Sequence, residues 1–286
     1  MQPLPDDRTI LALIEPLALA AGKRTLEVWR QGVEVAAKAD ASPVTQADRE
    51  AEEIILAGLR AAFPGVPIVA EEEVSAGLGP DAADGSAGDI FFLVDPLDGT
   101  REFVRGGDDY TVNIALVRGG APAVGVVYAP ARNMLYTGRP GLAEAVATDA
   151  DHRPRERRAI AARPAGTPPT IVASRSHNTP ETDAFIARHA PAERVSVGSS
   201  LKFCLLAAGE ADLYPRFGRT MQWDTAAGDA VLRAAGGQTR ALDDTPLPYG
   251  PGTCPDDAPF ANPHFIAQGQ PSRPEERGEA ATARSN

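Results

Sequence analysis

Apolar positions recur at helical spacing over two long stretches near the start of the chain. From Asp7 to Arg30 they define an amphipathic helix, stopped by Gly32, with a kink expected at Pro16. From Thr45 to Ala62 they define a second helix, with Thr45 as its N-cap and Pro64-Gly65 just beyond its end. The pattern then becomes strand-like. Val66–Ala70 is a short apolar run that ends on three acids, Glu71, Glu72 and Glu73. Ile90–Val94 (IFFLV) is a continuous apolar run, as in a buried strand, and leads directly into DPLDGT. The stretch between them, Ser75–Asp89, is rich in Gly, Ala and Asp and reads as a mobile surface loop. Tyr110–Val117 and Ala123–Tyr128 flank Gly119-Gly120 and predict a hairpin, to which Met134–Thr137 adds a strand.

Farther on the texture changes. Asp149–Arg158 is charged and Arg163–Pro169 is rich in Pro and Gly, which marks a candidate domain boundary. Strands and helices then alternate: Thr170–Ala173, Glu181–Ala190, Arg194–Val197, Ser200–Gly209, Ala211–Tyr214 and a last helix over Asp224–Ala235. The expected plan is an α+β domain over residues 1–160 and an α/β domain over 161–267. A polar tail follows over 268–286, expected to be disordered. There is no internal repeat.

Composition narrows the function classes. With 286 residues, 43% of them hydrophobic, the chain can bury a substantial core. A net charge of −11 disfavours binding to polymeric nucleic acid, and means that an anionic substrate would need local cations. Cys204 and Cys254 make neither a disulfide framework nor a zinc site. No run approaches the roughly 18 apolar residues of a spanning helix. The start, MQPLPDDRTI, is not a secretion signal, so a cytoplasmic location is expected.

The candidate chemistry is acidic. A buried strand that delivers Asp95 and Asp98 through Pro96 into Gly99 sets two carboxylates close together, where they would repel and resist ionisation. A hard divalent cation removes that cost, and oxygen donors select Mg2+, Mn2+ or Ca2+ over zinc. Gly99-Thr100 permits close backbone approach to an anion, although Asp-Gly is also an ordinary turn dipeptide. Asp48, three residues after Thr45, could simply close a capping box. Glu71-Glu72 could be a solvated strand end, and Asp224 a helix N-cap. The combined order of these acids argues against coincidence.

The same residues resemble a known signature. DPLDGT, with Glu71-Glu72 upstream and Trp223-Asp224 followed after eleven residues by Gly236-Gly237, resembles the inositol monophosphatase superfamily of Mg2+-dependent phosphatases. ADASPVTQAD (Ala39–Asp48), DPLDGTREFVRGG (Asp95–Gly107), YTVNIALV (Tyr110–Val117), GVVYAPARNMLY (Gly125–Tyr136), SRSH (Ser174–His177), VGSSLKFCLLAAGEADLYPRFG (Val197–Gly218) and WDTAAGDAVL (Trp223–Leu232) more closely resemble its 3'(2'),5'-bisphosphate nucleotidases, the CysQ group. The resemblance spans Leu11 to Ile266 and weakens over Ser75–Asp89 and Ala145–Pro169.

It implies a layered α/β/α/β/α sandwich and a set of residue roles. Glu71, Asp95, the Leu97 carbonyl, Asp98 and Asp224 would ligate two or three Mg2+ ions, with Mn2+ as a substitute and Li+ and Ca2+ as inhibitors. One ion would be held by Glu71, Asp95 and Leu97, and a second between Asp95, Asp98 and Asp224. Thr100, with Glu72 or Asp48, would orient the attacking water, and the Gly99 and Thr100 amides would hold phosphate oxygens. Ser199, Ser200, Lys202, Arg216 and Asp224 would contact a nucleotide bisphosphate, and His177 its purine. The implied reaction is hydrolysis of adenosine 3',5'-bisphosphate, and of 3'-phosphoadenylyl sulfate, in support of sulfate assimilation. The rivals are inositol monophosphatase or fructose-1,6-bisphosphatase activity and, in another class, a non-catalytic nucleotide sensor. The chain would act as a monomer or as a homodimer, the latter through its antiparallel sheet, with at most a weak peripheral inner-membrane association.

Overall fold

The computed structural model describes residues 3–37, 43–80, 88–174, 178–190 and 192–270. Helix α1 (Asp7–Gln31) is capped by Asp6, whose carboxylate accepts from Thr9 N at 2.8 Å. It runs unbroken through Pro16. A small hairpin of β1 (Val35–Ala37) and β2 (Pro43–Thr45) leads into α2 (Gln46–Ala62). The apolar stripes of α1 and α2, including Ile10, Ile14, Ala18, Ile55 and Leu59, pack on one face of a seven-stranded sheet against Phe92, Ile114 and Val126.

That sheet runs in chain order from β3 (Ile68–Ala70) through β4 (Ile90–Asp98), β5 (Thr111–Arg118), β6 (Ala121–Ala129), β7 (Met134–Arg139) and β8 (Leu142–Thr148) to β9 (Pro154–Ala159). Only β3 and β4 pair in parallel; every later neighbour is antiparallel. The charged stretch read as a candidate domain boundary is therefore partly an edge strand. All six β9 residues are exposed, and its arginines bind acids: Arg157 pairs with Glu15 and Glu144. Charge on an edge discourages pairing with another chain.

The second sheet has five strands in the order β11 (Glu193–Ser196), β10 (Thr170–Ala173), β12 (Leu213–Arg216), β14 (Phe265–Gln268) and β13 (Gln238–Ala241). The first three are parallel, and β14 and β13 add antiparallel. Helices α6 (Leu201–Ala207) and α7 (Ala226–Ala234) lie between the two sheets, and α5 (Pro180–Arg188) packs on β12. The result is a five-layer α/β/α/β/α sandwich. Its largest core cluster joins both sheets, with Phe91, Val117 and Val127 from one and Val172, Tyr214 and Phe265 from the other.

Small residues let α7 lie almost on the strands. A Cβ on Gly125 of β6 would sit 2.5 Å from the Ala227 carbonyl oxygen, and one on Gly138 of β7 would sit 2.5 Å from Val231 Cα. The tail expectation meets structure at its start. Gln268 ends β14, and Gln270 bridges to Pro164. Residues 271–286, and residues 81–87 of the Ser75–Asp89 loop, lie outside the described residues.

Candidate metal centre and active site

Strand β4 ends in a register shift between Asp95 and Asp98 against β5. Asp95 Oδ1 accepts from Leu97 N at 3.0 Å, which turns the chain. Gly99 then takes a φ of +96°, where a Cβ would meet the Asp109 carbonyl at 2.9 Å, and the short helix α4 (Thr100–Val104) begins. Glu71 arrives from the end of the adjacent parallel strand, at the start of helix α3 (Glu71–Ser75). Asp224 arrives from the other side, on a one-turn 3₁₀ helix (Gln222–Asp224). Its Oδ2 accepts from Met221 N at 2.8 Å, and Gln222 ties the turn to Gly250 through two bonds of 2.7 and 2.8 Å. Thr225, rather than Asp224, is the N-cap residue of α7. Carboxylate oxygens of Glu71, Asp95 and Asp224 converge within 4.8 Å of one another.

The electrostatics of this cluster are those of a cation site. Burial, then the charges of Glu71, Asp98 and Asp224, push the Asp95 carboxyl well above the usual carboxylate range. Burial, then Asp98 and Glu71, push Asp224 up to about 8, against the Met221 amide that favours its ionised form. A carboxyl raised as far as that of Asp224 holds its proton near neutral pH unless a cation replaces it. The donors are all hard oxygens, which fits Mg2+ or Mn2+.

Around the acids lies a cleft of about 290 Å³ lined by Glu71, Asp95, Leu97, Asp98, Gly99, Thr100, Ser199, Lys202, Arg216 and Asp224, and also by Ser174 and Tyr214. Thr100 Oγ1 lies 3.1 Å from Asp48 Oδ1 and 3.2 Å from the Leu97 carbonyl oxygen. The other Asp48 oxygen, Oδ2, accepts from Thr45 N at 2.7 Å and Thr45 Oγ1 at 2.6 Å. Asp48 therefore closes the capping box of α2, as its spacing from Thr45 allowed, and also accepts from Thr100 in the cleft.

Lys202 is not a solvated helix charge. It is only 5% exposed, donates to the Ser199 carbonyl at 2.6 Å and sits 5.3 Å from the Tyr214 ring centroid. Burial brings its pKa down to about 8, and Asp98 partly offsets that. Arg216 lines the same cleft and donates to the Arg219 carbonyl at 3.1 Å. Two expected residues, Glu72 and Ser200, do not line this cleft, and a third is not described. Glu72 lines a neighbouring groove with Glu52, Arg60 and Glu73. The Ser200 side chain is turned inward, 2% exposed, onto the Asp224 carbonyl. His177 lies outside the described residues.

The sequence reading missed Glu52. Its two carboxylate oxygens accept from the Glu72 and Glu73 amides, each at 2.9 Å, and so hold the start of α3 where Glu71 stands. Burial, with the Glu72 and Glu73 charges, pushes it up to about 7. A signal was available: Glu52 follows Asp48 by four residues on the apolar stripe of α2, where an acid needs a reason to be.

The inositol monophosphatase family model matches residues 6–270. The chain belongs to the inositol monophosphatase family. Within that family it is 41% identical over 251 residues to the 3'(2'),5'-bisphosphate nucleotidase CysQ of Escherichia coli (strain K12), covering 87% of this chain and 95% of the relative. The crystal structure of CysQ from Bacteroides thetaiotaomicron superposes with a TM-score of 0.76 at 35% identity, covering 92% and 97% of the two chains. An inositol monophosphatase from Anabaena superposes with a TM-score of 0.67 at 25% identity. The five-layer architecture is thus the family's own, and the acids of the cleft occupy the segments that carried the family signature. No helix among the described residues is long and apolar enough to cross a membrane.

Proposed function

We propose that the chain is a 3'(2'),5'-bisphosphate nucleotidase that removes the 3'-phosphate of adenosine 3',5'-bisphosphate, giving AMP and phosphate, and that it also accepts 3'-phosphoadenylyl sulfate. The observation that carries this reading is the pairing of two unlike subsites in one cleft, an acidic cluster at Asp95 and a cationic wall at Lys202 and Arg216. The likeness to nucleotidases over most of the chain supports the choice of a nucleotide. Clearing such a by-product would support sulfate assimilation, in the cytoplasm.

Glu71, Asp95, Asp98, Asp224 and the Leu97 carbonyl would hold two or three Mg2+ ions. When bound, Mg2+ supplies the charge that draws the phosphate in, acidifies a water and stabilises the leaving oxygen. The protein groups do the rest. Thr100 accepts a hydrogen bond from the attacking water while its own proton is directed to Asp48, so the water is aimed and its proton has a place to go. The Gly99 and Thr100 amides donate to the phosphate oxygens as charge builds on them. Glu72 is not needed at this step; Asp48 takes the role. Lys202 and Arg216 bind the second phosphate, which sets the nucleotide's position relative to the acids.

Lys202→Met tests the second subsite. We expect KM for adenosine 3',5'-bisphosphate to rise about tenfold or more, the scale of one lost charge-assisted bond, with little change for inositol 1-phosphate. Equal effects on both substrates would remove Lys202 from recognition. A nucleotide sensor is distinguished by turnover itself: a sensor binds the bisphosphate and leaves it intact.

A further inference from the structure

Ser199 and Ser200 were expected to touch the nucleotide, but in the structure the Ser199 hydroxyl bonds to the Asp98 carboxylate and the Ser200 hydroxyl to the Asp224 backbone carbonyl. Ser199 Oγ donates to Asp98 Oδ2 at 2.6 Å and lies 3.2 Å from the Asp98 carbonyl. Its oxygen is 2.5 Å from Thr111 Oγ1, so the Thr111 hydroxyl donates to Ser199 while Ser199 donates to the carboxylate. Ser200 Oγ donates to the Asp224 carbonyl at 2.6 Å and accepts from Asn113 Nδ2 at 3.0 Å. Thr111 and Asn113 are alternate residues of β5 and therefore share one face of the sheet. Two parallel relays result: Thr111 to Ser199 to Asp98, and Asn113 to Ser200 to Asp224.

The turn that carries the serines is held on every side. Gly198 N donates to Asp109 Oδ2 at 3.0 Å, and a Cβ on Gly198 would meet the Asp109 carbonyl at 2.8 Å. Asp109 itself is fully buried and ion-paired to Arg132. Lys202 grips the Ser199 carbonyl from the far side. Ser199 has a φ of +58°, a left-handed conformation that a side chain seldom adopts and that this packing sustains.

We propose that the Gly198–Ser200 turn is a clamp that fixes Asp98 and Asp224 relative to one another, and that Ser199 and Ser200 are positioning residues of the metal centre rather than nucleotide contacts. The inference rests on the metal-dependent reading of the cleft. Asp98 ends a strand of one sheet, and Asp224 lies on a turn between the sheets, so nothing within either element sets their separation. The turn bonds to both and is itself bonded to β5. Groups behind metal ligands typically change metal affinity by about 10–100-fold.

The test is a Mn2+ titration of the full-length chain, reading free Mn2+ by electron paramagnetic resonance, beside KM for adenosine 3',5'-bisphosphate at saturating Mg2+. Ser199→Gly removes the hydroxyl and suits the left-handed backbone; Ser200→Ala removes the second. We expect Mn2+ to bind about 10–100-fold more weakly in each, with KM within twofold of the parent. Thr111→Val, one step behind Ser199, should weaken Mn2+ binding in the same direction and serves if either serine variant fails to fold. Unchanged Mn2+ affinity with a raised KM would make the serines nucleotide contacts and overturn the clamp. A parent chain that takes up no Mn2+ would overturn the metal reading, and the clamp with it.

Discussion

At the scale of single residues, Asp224 and Lys202 make opposite predictions about pH. The Asp224 carboxyl, raised to about 8 from an ordinary 3.8, keeps its proton in the folded metal-free protein where the unfolded chain has lost it. Between about pH 4 and 8 the folded state therefore binds more protons, and stability falls as pH rises through that window. Asp95 acts in the same direction. Calorimetry in EDTA should show the melting temperature declining from pH 5 to 8. Saturating Mg2+ should reverse the slope, because the cation competes with those protons. A metal-free melting temperature that rises over this range would contradict the assignment. Lys202 is cationic only below about 8, so kcat/KM for a bisphosphate should fall as pH passes that value. The same limb should be missing from Lys202→Met. Asp95→Asn preserves volume and relieves repulsion among the acids, so we expect a folded protein whose turnover is down by more than about a hundredfold.

At the scale of elements, α7 follows Asp224 by two residues and packs between the sheets. Gly138→Ala would drive a Cβ to 2.5 Å from Val231 Cα and 2.9 Å from the Ala230 carbonyl oxygen, both backbone atoms that cannot step aside. We expect a loss of roughly 1–3 kcal/mol, measured by urea denaturation; a neutral result would mean that α7 is not seated on β7 as described. This scale also shows what the sequence could and could not say. Long periodic segments were legible: α1, α2, β4 to β7 and β10 all carry strong patterns. The edge strand β9 and the last two strands of the second sheet were not. β9 is six exposed residues with no apolar face, held by pairing with β8 and by ion pairs, so its composition looks like a linker. β13 and β14 are four residues each and depend on pairing partners far away in the chain. The acids of DPLDGT were legible because a buried strand ending in carboxylates is costly without a cation. Glu52 was hidden by an ordinary helical pattern, and the hydrogen bonds of Ser199 and Ser200 by the distance in sequence to Asp98, Thr111 and Asn113.

At the scale of the whole molecule, two sheets enclose the helices α6 and α7. We propose that residues 1–160 supply most of the metal ligands and that residues 161–267 supply the cations and the turn that recognise and align the substrate. Asp224, in the second range, lies on the 3₁₀ turn that precedes α7. The central claim is that both halves act on one nucleotide. Phosphate release with Mg2+ tests it most directly, comparing adenosine 3',5'-bisphosphate, inositol 1-phosphate and fructose 1,6-bisphosphate at equal low concentration, with and without EDTA. The nucleotide should be hydrolysed faster by orders of magnitude, and EDTA should abolish release. Faster hydrolysis of the inositol or sugar phosphate would contradict the role given to Lys202 and Arg216, and release that persists in EDTA would contradict the metal centre itself.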